Sequence, residues 1–248
     1  MEKNTESKYS NMIDDSKTEN HYVVATVKPW NISAFNQYVD DLPGSWHLLT
    51  SKGELNLEAL QKINPRYIFF PHWSWLVPSE ILEEFECVCF HMTDVPYGRG
   101  GSPLQNLIVL GHENSKLTAL KMSDELDAGP VYTKLDFDLN GSALAIYERV
   151  SVLCYRLIRH MVYDEPTPVP QEGDIVSFKR RTEEESKLPE HGSLRGIYNH
   201  IRMLDAPTYP KSKIEYGNFL LEFSDASLHD EQIFEAKVTI SIKKPSQS

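Results

Sequence analysis

Between residues 21 and 122 the chain alternates short apolar runs with stripes of helical spacing. Tyr22–Val27, Trp46–Leu49, Tyr67–Phe70, Cys87–His91 and Lys116–Met122 read as strands, the third apolar throughout, as expected of a strand buried on both faces. Helices are predicted between them. Ile32, Phe35 and Val39 mark the first. Asn56 caps one carrying Leu57, Leu60 and Ile63 and ending at Asn64-Pro65, and Ser79 caps one through Ile81, Leu82 and Phe85. Ser102-Pro103 opens a helix through Leu104, Leu107 and Ile108 that stops at Gly111. The repeated strand–helix order implies an open α/β sheet, mostly parallel, with crossover helices.

The longest helical stripe follows, with Ala143, Tyr147, Val150, Cys154, Leu157 and Met161 on one face. Past residue 170 the texture changes: a strand at Ile175–Phe178, a helix marked by Leu194, Ile197, Tyr198, Ile201 and Leu204, and strands at Phe219–Phe223 and Phe234–Ile242. The predicted organisation is a mobile polar tail (1–20), an α/β body (21–170) and a small C-terminal α+β appendage (171–248).

Composition narrows the function classes. With 25 basic and 36 acidic residues the formal net charge is −11, which argues against a nucleic-acid or membrane-surface partner. No apolar run approaches the ~20 residues of a membrane span. Three cysteines, two of them one residue apart, suggest neither a disulfide framework nor a zinc site. A cytoplasmic, metal-free protein is expected. The first strand leads into Val27-Lys28-Pro29-Trp30 rather than a glycine fingerprint, and neither a phosphate-binding loop nor a nucleophile elbow is present.

Three strand-end segments carry candidate chemistry. In Cys87-Val88-Cys89-Phe90-His91 the period-2 alternation places Cys89 and His91 on one face, with His91 at the carboxyl end, where open α/β sheets form their crevice. The loop Met122–Pro130 offers Asp124 and Asp127 as carboxylates that can orient an imidazole and favour its protonated form. Residue physics alone does not choose between the two. Phe69–Pro78 supplies aromatic rings suited either to a flat heterocycle or to core packing. A nucleophilic Cys89 is a further alternative, disfavoured by its place inside a strand.

Together these segments resemble the 10-formyltetrahydrofolate-dependent formyltransferases. His91 matches the family histidine, Val95-Pro96 the following turn, Arg99–Gln105 the glycine-rich helix start, and Leu126-Asp127-Ala128-Gly129 the aspartate motif, which selects Asp127 over Asp124. The family asparagine falls on Cys89, so the third catalytic position departs from the pattern. The resemblance spans roughly residues 65–210. It implies a Rossmann-like formyltransferase fold, formyl transfer to a primary amine, His91 and Asp127 as catalytic pair, and 10-formyltetrahydrofolate as co-substrate. Trp73, Ser74, Trp75, Leu76, Val95, Gly100, Gly101 and Leu126 would hold the folate. Arg99, Arg180, Arg181 and Arg202 are candidates for substrate phosphates.

Within the family the wording is most similar to the nucleotide-sugar N-formyltransferases of bacterial surface-glycan synthesis, in particular the UDP-sugar enzyme of pseudaminic-acid-type pathways. This implies a nucleotide-linked amino sugar as acceptor. The short C-terminal part and the acidic charge favour that acceptor over tRNA. A noncatalytic folate- or nucleotide-sugar-binding relative, with Cys89 as the lesion, is the alternative, as is a formyltransferase acting on another small amine. A homodimer is the candidate assembly, and the sequence does not fix the oligomeric state.

Overall fold

A computed structural model describes residues 20–230 and 232–243; the polar segment 1–19 and the end 244–248 lie outside the described residues. Strands β1 (His21–Ala25), β2 (Ser45–Leu49), β3 (Tyr67–Phe70), β4 (Cys87–His91), β6 (Asn114–Lys121) and β7 (Val131–Asp138) form one sheet in the order β2-β1-β3-β4-β6-β7. The first four are parallel. Alternation along each strand sorts the core into two layers. Tyr22, Val24, Tyr67, Phe69, Val88 and Phe90 face helices α1 (Pro29–Tyr38) and α5 (Ala143–Asp164). Val23, Ala25, Ile68, Phe70 and Cys87 face α2 (Leu57–Ile63) and α3 (Ser79–Glu84). All six residues of the predicted α5 stripe are buried.

Local signals act as expected at several ends. Asn56 accepts the Ala59 N–H at 2.9 Å, and Asn64 ends α2 in the left-handed region at φ 51°. Two expected caps differ. Pro78 precedes α3, so Ser79 is its first helical residue. Ser102 precedes α4 (Pro103–Val109) at φ 51°, and its hydroxyl turns outward to accept the Arg181 N–H at 3.1 Å.

The main departure from the predicted topology is at β6, which runs antiparallel to β4 and pairs His91 with Thr118. Strand β5 (Tyr97–Gly100) first carries the chain on past β4, and a seven-residue α4 rises only ~10 Å. The chain therefore re-enters the sheet at the end where it left. An unpredicted strand, β7, then returns antiparallel to β6. Residues 122–130 are thus a hairpin connection, not a crossover loop.

The chain after residue 170 binds closely to the first body. Strand β8 (Val176–Phe178) pairs with β5, and α6 (Leu194–Arg202) leads into Met203, Leu204 and Ala206, which are buried in the main core. Beyond it, β9 (Ser212–Tyr216), β10 (Phe219–Leu228) and β11 (Phe234–Ile242) form an antiparallel sheet in the order β11-β10-β9; β9 is an unpredicted strand. Among the described residues no helix is long and apolar enough to cross a membrane.

Candidate active site

A cavity of about 890 Å³ opens at the carboxyl ends of β3 and β4. His91 ends β4 with its side chain 8% exposed. Its Nε2 lies 2.8 Å from the Gly98 carbonyl, which anchors one edge of the ring, and its Nδ1 lies 3.4 Å from Asp127 Oδ2. That same carboxylate oxygen accepts the Gly100 N–H at 2.9 Å. The two residues are brought together in an unexpected way. Lys121, at the end of β6, sits opposite Val88, whereas His91 is three residues further along β4. The 122–130 connection must fold back along the sheet to deliver Asp127 to His91.

One backbone conformation and two sets of contacts define the folded-back loop. Asp127 takes the left-handed conformation at φ 53°. Gly129 presses on the backbone so closely that a Cβ there would stand 1.8 Å from the Lys121 carbonyl oxygen. Gln171 donates from its amide nitrogen to the carbonyls of Asp127 and Gly129, both at 2.8 Å, while its oxygen accepts from Arg99 Nε and Nη2 at 3.0 and 2.9 Å. Gln171 clamps the 127–129 backbone, and no sequence motif marks it. We expect Gln171→Ala and Gln171→Glu to lower turnover about tenfold alike, because both lose the donor to the two carbonyls, and an unmet buried acceptor costs roughly 1–3 kcal/mol. Turnover of Gln171→Glu at the wild-type rate in a steady-state assay would show that the clamp does not position Asp127.

Of the other predicted residues, Cys89, Trp73, Ser74, Trp75, Leu76, Gly100, Gly101, Leu126, Arg180 and Arg181 line the same cavity. Three do not. Val95 is buried against Leu120 and Val131. Arg99 is spent on Gln171 and on Glu125 at 3.5 Å. Arg202 is buried, donating to Asn199 and to the Leu139 and Gly141 carbonyls, because the end of α6 needs it to tie the 139–141 turn. Gly100 and Gly101 reach the cavity with their N–H groups already committed, to Asp127 and to the Phe178 carbonyl. Lys28, His72, Gln105, Tyr147 and Tyr209 also line it and were not singled out by the sequence.

Burial, and after it the neighbouring Asp127, push the Cys89 thiol far above its ordinary range. A thiol so held stays protonated at neutral pH and is a poor nucleophile. Cys89→Ser is therefore expected to keep at least a third of wild-type turnover. Intact-mass measurement after rapid mixing with formyl donor alone should show no adduct; a mass gain of one formyl group on Cys89 would reverse this assignment.

His72 is the second histidine of the cavity. Its φ is 54°, and its Nδ1 faces the Trp30 indole N–H at 3.2 Å and the Asn31 amide at 3.4 Å. An indole nitrogen can only donate, so Nδ1 is the acceptor and the proton sits on Nε2. Burial, then the charges of Lys28 and His91, lower its pKa to about 3 and keep it neutral.

Comparison with known proteins supplies the family. A solved structure, the methionyl-tRNA formyltransferase from Clostridium thermocellum, is 41% identical, with a TM-score of 0.87, and covers 90% of this chain and 100% of its own. The chain belongs to the methionyl-tRNA formyltransferase family. The family's C-terminal domain model matches residues 183–241. The Rickettsia felis methionyl-tRNA formyltransferase is 28% identical over 204 residues, 78% of this chain and 66% of that protein. The chain thus spans about two thirds of the length of such curated relatives. A sugar N-formyltransferase from Shewanella shares the fold at 16% identity and a TM-score of 0.63, covering 80% of this chain and 93% of its own.

These findings overturn the expectation of a nucleotide-sugar enzyme of surface-glycan synthesis without a nucleic-acid partner. The short C-terminal part is itself matched by the methionyl-tRNA formyltransferase C-terminal domain. Net charge misled because it sums over the whole surface and says nothing of where the charges stand; Lys28, Arg180 and Arg181 line the cavity of this acidic chain beside Asp127, Glu183 and Glu185.

Proposed function

We propose that the protein transfers the formyl group of 10-formyltetrahydrofolate to the primary amine of methionyl-tRNA. The observation that carries the proposal is the His91–Asp127 pair at 3.4 Å in a cavity of a chain 41% identical to a methionyl-tRNA formyltransferase. The cavity wall suits a pterin. Trp73 carries a buried indole N–H without a partner among the described residues, and Trp75, Leu76 and Leu126 expose apolar surface at 41, 83 and 58%. A flat, partly polar heterocycle would cover that surface and give the indole an acceptor.

The acceptor amine attacks the formyl carbon as a free base. Negative charge gathers on the formyl oxygen, and the imidazole edge facing Asp127, anchored from behind by Gly98, supplies the N–H that stabilises it. Asp127 takes the proton shed by the attacking nitrogen. The carbon–nitrogen bond to the folate then breaks, its electron pair staying on the folate nitrogen, which takes up a proton. The N-formylated acceptor and tetrahydrofolate are the products.

The test mixes purified protein, 10-formyltetrahydrofolate and methionyl-tRNA, and follows formylmethionine on the tRNA together with release of tetrahydrofolate. Stoichiometric appearance of both is expected. Transfer to other amines with none to methionyl-tRNA would overturn the acceptor, and no transfer to any amine would overturn the reaction itself.

A further inference from the structure

The cavity has two walls that belong to opposite layers of the core. Trp73 packs with the α2–α3 layer, while Trp30, Tyr147 and Tyr209 pack with the α1–α5 layer. Tyr147 and Tyr209 line the second wall in a stack that Trp30 backs: Trp30 lies over Tyr147 at 4.9 Å and 6°, and Tyr147 over Tyr209 at 5.5 Å and 23°. A hydrogen-bond chain from Gln105 to the Tyr147 hydroxyl (2.9 Å) and on to the Tyr209 hydroxyl (2.8 Å) locks it.

Against this wall stand two cations. Lys28 Nζ donates to Thr208 Oγ1 at 2.9 Å and lies 5.2 Å from the centre of the Tyr209 ring. Arg180 is held because its backbone packs on Gly101, where a Cβ would come within 2.6 Å of the Arg180 Cα. Among the described residues neither makes a salt bridge, whereas the adjacent Arg181 pairs with Glu185 at 3.5 Å. Burial and the charge of Arg180 depress the Lys28 pKa. The carboxylates that also line the cavity are already paired, Asp127 with His91, Glu183 with Lys213 and Glu185 with Arg181, so the half-buried Lys28 and the exposed Arg180 are left without an anion.

We propose that Lys28 and Arg180 form an anion subsite that takes the phosphoryl group of the nucleotide carrying the acceptor amine. The subsite lies beside Tyr209, and in an acidic protein local positive charge is what draws a polyanionic acceptor to an opening. His72, neutral with its proton on Nε2, adds a donor to the same wall without adding repulsion. The assignment rests on the methionyl-tRNA reading for the identity of the nucleotide, but not for the existence of the anion site.

The experiment titrates wild type, Lys28→Met, Arg180→Met and the double variant with adenosine 5′-monophosphate and with inorganic phosphate, by calorimetry, and then measures KM for methionyl-tRNA and for the folate. Each single variant should weaken the nucleotide at least tenfold and raise the acceptor KM by a similar factor, while the folate KM stays as in wild type. Inorganic phosphate should compete with the nucleotide in the wild type. Unchanged nucleotide affinity in both variants, or phosphate that fails to compete, overturns the subsite. The calorimetric result stands apart from the acceptor assay, so failure of the wild type to formylate methionyl-tRNA would remove the named acceptor and leave the anion site to be judged by titration.

Discussion

Asp127→Asn and His91→Ala each lower turnover at least a hundredfold, and the double variant loses little more than the worse single one. Asparagine keeps an oxygen for the Gly100 N–H, now at 2.9 Å, so the loop stays placed while the proton acceptor is lost. His91→Ala removes the donor expected to meet the developing oxyanion, a contribution typically worth ~3–4 kcal/mol. It also frees the Gly98 carbonyl, which still receives the Thr93 hydroxyl at 3.3 Å, so folding survives. Residues that act as one unit give non-additive losses. Single-turnover kinetics with saturating donor and acceptor check this. Full additivity, or near-normal turnover of His91→Ala, would remove the pair from the mechanism.

Gly129→Ala is expected to do comparable damage without touching a reacting atom. The added methyl would meet the Lys121 carbonyl oxygen at 1.8 Å and the carbonyl carbon at 2.9 Å, both backbone atoms of a strand paired on either side. Neither can yield as a flexible side chain would, so the 122–130 loop must move instead. Overpacking of this kind costs roughly 1–3 kcal/mol or more. A displacement of ~1 Å at Asp127 is enough to lose about a hundredfold in rate. Thermal unfolding and turnover measured together give the answer: lowered stability with turnover down at least a hundredfold is expected. A variant with wild-type melting and wild-type turnover would show that the loop has slack the close contact does not suggest.

How far these outcomes were legible in the sequence depends on the range of the interactions involved. The two-layer core was. Alternation in Tyr22–Ala25 and Cys87–His91, the continuous run Tyr67–Phe70 and the α5 stripe each report burial through a repeat of two or 3.6 residues, and each face is buried where the repeat puts it. The family motif marked His91 and Asp127, and the glycine two residues after the aspartate has its reason in the contact with Lys121. Strand direction was not legible, since parallel and antiparallel neighbours bury the same alternate positions. What separated them here was the excursion through β5 and the shortness of α4, a matter of where the chain stands in space when it turns back.

The rest of the site was decided by tertiary structure alone. Gln171 clamps Asp127 across 44 residues, and Lys28 meets Thr208 across 180. The same is true of Arg202, a plausible phosphate ligand as an arginine in a sequence and a structural tie once Leu139 and Gly141 present their carbonyls to it. Periodicity says which side of an element is buried, because that follows from the local backbone. Which distant groups meet a charged or polar side chain is fixed only when the layers close, and that meeting decides whether the side chain braces the fold or remains free for a ligand.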